Sequence, residues 1–118
     1  MSFDLSVWAL TDGATPEDVR TAVRQCRQGQ HVDRYPDPRV VRFYRAITAS
    51  YPDRQPTADT PWAVAPLHAA HDHVELNLHP DCADQVLLDI ERLAGEHGLM
   101  LFDAQDGSVY PPPARVNT

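Results

Sequence analysis

The order in which differently patterned segments follow one another is what most constrains the fold of this chain. An alternating apolar and polar run over Ser2–Leu10 is followed by two capped helical stretches and then by two extended runs across Trp62–His79. A third helical stretch and a short apolar run at Leu99–Phe102 complete the series. Strand, helices, strand, strand, helix, strand is the signature of the split βαβ sandwich. The expected fold is therefore α+β, a ferredoxin-like βααββαβ sandwich. It would have a four-stranded antiparallel sheet, its helices on one face, and its first and third strands at the centre. Residues 1–110 form one domain in this reading, and the proline-rich 111–118 form an extended tail.

Local signals place the elements. Thr15-Pro16 with Asp18 reads as a capped helix start, and Val19, Ala22, Val23 and Cys26 make its apolar stripe. Gly29 is its expected stop. Asp37-Pro38 repeats the device for a second helix with Val40, Tyr44, Ile47 and Tyr51 on one side, closed by Pro52. Asp53–Pro61 is polar and reads as a surface connection able to act as a flap. Trp62–Leu67 and His73–His79 flank a turn over His68–Asp72 and read as a hairpin. Asp81 is expected to cap the third helix, whose stripe is Val86, Leu87, Ile90, Leu93 and Ala94, with Gly98 ending it. Asp106-Gly107 signals a turn, after which Ser108–Tyr110 can add a few paired residues.

Charge narrows the partners. Seventeen Asp and Glu face ten cations, all of them Arg, for a formal charge of −7. Such a chain repels phosphate backbones, so no nucleic-acid partner is expected, and a basic protein suits the balance better. Arg20, Arg24 and Arg27 share a helix face, but Glu17 one turn earlier makes that face a solvated, ion-paired one. No basic and apolar leader opens the sequence, and no apolar run nears the roughly 20 residues of a membrane span. Cys26 and Cys82 form no CxxC pattern. Cytoplasmic residence with reduced thiols and no membrane association is expected.

The chemistry-bearing residues collect on one predicted sheet face. Val74, Leu76 and Leu78 point toward the helices, which leaves His73, Glu75, Asn77 and His79 on the other side, beside Asp4, Ser6 and Trp8. Asp4, Ser6, Trp8, Glu75 and Asn77 are the candidate ligand- or partner-binding residues. His73, Glu75 and His79 are candidate metal ligands of a type suited to zinc, or to iron with open positions. His68, His71 and His73 crowd the hairpin turn, a cluster able to hold a transition metal or to titrate near neutral pH. Cys82 near a helix start, with His79 three residues back, is the candidate nucleophile and base. Cys26, on an apolar stripe, reads as core.

The stretches SFDLSVW (Ser2–Trp8), YPD (Tyr51–Asp53), PW (Pro61-Trp62) and EHGLMLFDAQ (Glu96–Gln105) resemble a family of small uncharacterised actinobacterial proteins. Members begin M-S-[FY]-D-L-x-V-W and end in H-G-L, a short strand and D-P-Q, where this chain has Ala104 in place of the proline. The resemblance implies a bacterial, cytosolic, single-domain protein and carries no activity with it. The leading functional expectation is a non-enzymatic module, immunity-like or accessory, that binds a basic protein and pairs with itself through the open sheet face or an edge strand. The alternative is a metal or small-molecule site on that face, for binding or for catalysis, with no other cofactor.

Overall fold

A computed structural model describes residues 3–10, 14–29, 35–53, 60–64 and 66–110. The elements run β1 (Phe3–Trp8), α1 (Pro16–Arg27), α2 (Pro38–Ser50), β2 (His68–Ala69), β3 (His73–Leu78), α3 (Asp84–Glu96), β4 (Met100–Asp103) and β5 (Val109–Tyr110). The fold is α+β; among the described residues there are three helices and an antiparallel sheet ordered β2-β3-β1-β4-β5. The sheet has five described strands rather than the expected four, because Val109 and Tyr110 pair with Phe102 and Leu101. The expected flap falls largely on residues 54–59, and the tail falls on 111–118; both lie outside the described residues. Among the described residues, no helix is long and apolar enough to cross a membrane.

Two separate cores flank the sheet, so the helices do not all share one face. Leu5 and Val7 of β1, Val74, Leu76 and Leu78 of β3, and Leu101 of β4 pack against Val40, Phe43 and Ile47 of α2 and Val86, Ile90 and Leu93 of α3. On the opposite face Trp8, Met100 and Phe102 pack against Val19 and Val23 of α1. The sheet face expected to be uncovered is covered by α1. Both faces of β1 and β4 carry large apolar side chains, and a sheet face lined by Trp8, Met100 and Phe102 is stable only under a cover.

The helix starts follow their local chemistry. Thr15 Oγ1 accepts from Asp18 N–H while Asp18 accepts from Thr15 N–H, a reciprocal capping box. Asp37 caps α2 and also receives the Arg39 guanidinium on both its oxygens, at 3.1 and 2.9 Å. The Arg39 hydrogen bonds hold the Asp37 carboxyl below its usual range. Arg39 reaches on to the carbonyls of Leu10 and Gly98. Gly98, at φ 68°, sits in the left-handed region that the turn from α3 into β4 requires. Asp81 is not the cap of α3, since Ala83 holds that position without a side-chain bond. Phe43, absent from the expected α2 stripe, is fully buried, whereas Tyr44 and Tyr51 are half-buried and place their phenols on Asp53 and Asp89.

The hairpin differs from expectation in its first arm. Among the described residues, pairing near Trp62 is a bridge with Leu78, flanked by the bonds from Ala63 N–H to Asn77 O and from His79 N–H to Pro61 O. The ladder resumes only at His68 and Ala69, opposite Glu75 and Val74. Between the two, Pro66 has no N–H to give, and the N–H of Leu67 is taken by the Asp53 carboxylate at 3.0 and 3.2 Å. His68 therefore lies in the sheet rather than in the turn. The turn itself is tight, closed by Ala70 N–H on His73 O.

Tyr51 gives the fold a testable alkaline limit. Its hydrogen bond to Asp89, 2.5 Å long, requires the phenolic proton, and this bond is the main reason its pKa is raised from 10.0 to about 12. A group whose pKa is higher in the folded state stabilises fully below its unfolded value and loses that contribution as pH rises through the folded one. Stability measured by urea titration should therefore fall between pH 10 and about pH 12. In Tyr51→Phe this part of the decline should be missing, and an unchanged alkaline profile in that variant would refute the assignment.

Candidate metal centre

β1 and β3 pair in register Trp8↔His73, Ser6↔Glu75 and Asp4↔Asn77, so these six side chains project from one face of the sheet. The face is graded along its length. His73, fully buried beneath α1, lies at one end, and Glu75 is exposed at the next position of the row. The Trp8 indole stacks on the His73 ring at 4.1 Å between centroids and 11° between planes. Trp8 Nε1–H donates to Ser6 Oγ at 2.8 Å, which satisfies both buried polar groups.

The two ring nitrogens of His73 face different partners. Nδ1 lies 2.8 Å from Asp72 Oδ1, and Nε2 lies 4.0 Å from Cys26 Sγ on α1. A carboxylate against Nδ1 favours the tautomer protonated there, which makes Nε2 the acceptor for the Cys26 thiol. Burial, then the nearby Glu75 and Asp72, push the Cys26 thiol above its usual pKa. Cys26 therefore does not behave as core alone: it is half-buried and meets an imidazole.

His68 completes the group from the neighbouring strand. Opposite Glu75 in the ladder, it sets Nε2 3.9 Å from Glu75 Oε2, and its ring centroid lies 5.7 Å from that of His73. One ligand atom from each of His68, His73 and Glu75 falls within 4.8 Å of the others. His79 does not join them, since four residues along an extended chain separate it from Glu75 by roughly 13 Å. The signal for His68 was present in the His68/His71/His73 crowding, but its place opposite Glu75 comes from a strand pairing that the local pattern does not show.

The other expected residues are distributed as follows. Asp4, Ser6, Trp8, Glu75 and Asn77 all line one pocket of about 170 Å³, together with Cys26. Within it Asn77 donates to Asp4 Oδ1 at 2.6 Å. Cys82 and His79 are joined by a backbone bond, Cys82 N–H to His79 O. The Cys82 side chain packs against the main core, and burial, followed by Asp81 and Asp84, raises its pKa. That is the opposite of the dipole-activated thiol the sequence suggested.

Comparison of the chain with protein-family models, with curated proteins and with solved structures found no match in any of the three.

Holding an imidazole inside the protein depends on Asp72. Asp72→Ala removes the carboxylate from Nδ1 of a ring that is 0% exposed, and should destabilise the fold by about 1–3 kcal/mol in urea denaturation. A change near zero would show that the contact does not anchor the ring.

Proposed function

We propose that this protein binds a borderline-soft divalent transition metal of the zinc class through His73, His68 and Glu75. The observation that carries the reading is the convergence of these three side chains, from two adjacent strands, around a buried imidazole whose far nitrogen is already fixed by a carboxylate. An imidazole with a carboxylate behind it is the usual outer-shell arrangement of a zinc-binding histidine. Zinc bonds of about 2.0–2.1 Å place tetrahedral ligand atoms roughly 3.4 Å apart, so the group must contract by about an ångström. His73 is fixed, but the side chains of His68 and Glu75 are 63% and 47% exposed and free to close. Ordering two such side chains costs about 0.5–1.5 kcal/mol each, small against the order of 10 kcal/mol that zinc returns in small structural sites.

Tag-free protein, stripped with chelator and titrated with zinc chloride in a calorimeter, should bind one equivalent. His68→Ala and Glu75→Ala should each weaken binding by at least about tenfold. Uptake well below one equivalent, or unchanged affinity in both variants, overturns the proposal.

A second reading, recognition of a basic protein, is favoured by a different place on the molecule. Asp18, Asp37, Asp72, His71 and Tyr35 line a cleft of about 470 Å³ at the other side of the turn, and Tyr35 is 97% exposed. Carboxylates beside an exposed aromatic ring suit an arginine side chain, and the net charge of −7 would draw a cationic partner in. A fluorescent arginine-rich peptide should bind at low salt and weaken as salt rises, and Tyr35→Ala should bind it more weakly. Equal binding by that variant removes the cleft from consideration.

A further inference from the structure

We infer that Cys26 is the fourth ligand of the proposed site, reaching it from α1 and closing a tetrahedron of two imidazole nitrogens, one carboxylate oxygen and one sulfur. The inference rests on the three-residue reading above and deepens it, because a thiolate determines which metals the site prefers. Cys26 ends the inner stripe of α1, seven residues after Val19 and three after Val23, the two side chains that seat this helix on the sheet. The same seating brings Sγ to 4.0 Å from His73 Nε2. With bonds of about 2.0–2.1 Å to nitrogen and 2.3 Å to sulfur, a metal joining these atoms in a straight line would span roughly 4.3 Å, and one at a tetrahedral angle roughly 3.6 Å. The observed separation lies between the two, so a shift of a few tenths of an ångström suffices for this pair; the 4.8 Å grouping of His68, His73 and Glu75 does not take in Cys26, so the exposed side chains of His68 and Glu75 must also close toward the sulfur. Cys26 and Glu75 also border one common pocket.

On binding, the sulfur releases its proton to solvent as the metal–sulfur bond forms, with no change in oxidation state. A site with one thiolate and two imidazoles favours Zn2+, Co2+ and Cd2+ over Mg2+, Ca2+ and Mn2+, which prefer oxygen ligands. It also has no position left open, which makes it a structural or carrier site rather than a catalytic one. The bound metal would tie α1 to β2 and β3, across the face where Trp8 and His73 stack.

Cobalt reports both halves of the claim in one spectrum. The full chain titrated with Co2+ should develop the intense visible bands of a tetrahedral ion together with a near-ultraviolet sulfur-to-cobalt charge-transfer band. Cys26→Ser should lose the charge-transfer band and bind Zn2+ at least about 10- to 100-fold more weakly, whereas Cys82→Ser should keep both signals. Alkylation of wild-type Cys26 by iodoacetamide, located by peptide mass, should slow markedly when Zn2+ is present; this arm needs no variant to fold. Visible bands without charge transfer, or a Cys26 alkylated equally fast with bound Zn2+, overturn the fourth ligand and leave the three-residue site standing. Absence of cobalt bands and of zinc binding overturns both.

Discussion

The rest of the structure depends on β1 being buried on both faces while paired along both edges. Between β3 and β4, its side chains alternate between two cores: Leu5 and Val7 go to α2 and α3, and Trp8 goes to α1. A slip of one residue against either neighbour would exchange Val7 and Trp8 and lose both packings together, so register is fixed from two sides. That same register sets Trp8 opposite His73 and Ser6 opposite Glu75. The candidate metal centre is thus a by-product of how the central strand is held.

A buried imidazole is tolerated because each of its surfaces is occupied. Trp8 covers one ring face, Asp72 takes Nδ1, and Cys26 stands off Nε2. Asp72 is itself positioned by the main chain, since its carbonyl accepts from Ala9 N–H at the end of β1 and the neighbouring His71 carbonyl accepts from Asp37 N–H at the start of α2. The tight turn is anchored to two elements before its side chains begin to act. His73 is therefore oriented in advance, and only the two exposed side chains of the trio have to order themselves.

Much of this was legible from residue patterns, where the controlling interactions are local. The alternation of Val74, Leu76 and Leu78, the Thr15 and Asp37 caps and the glycine stops at Gly29 and Gly98 stand where the pattern places them. The covered second face was readable in principle, because Met100 and Phe102 are as apolar as Leu99 and Leu101 and such a strand wants burial on both sides. What local pattern could not show is action at a distance. The Asp53 carboxylate takes the Leu67 N–H just before His68 pairs opposite Glu75, and α1 sets Cys26 beside His73. His79 misled because equal facing along a strand is not proximity: a row of four alternate residues is roughly 20 Å long, and clusters form across strands instead.

Arg39 has a mechanical consequence for the sheet. One planar guanidinium grips the carboxylate that begins α2, the carbonyl of Leu10 just beyond β1, and the carbonyl of Gly98 leading into β4. A lysine ammonium carries its three donors on one compact nitrogen and does not match the planar fan of directions these acceptors require. The front edge of α2 is consequently latched to both central strands by a single side chain. Any breathing motion that lifts this helix must release all three grips at once, which makes opening of that side of the sheet an all-or-none event rather than gradual fraying.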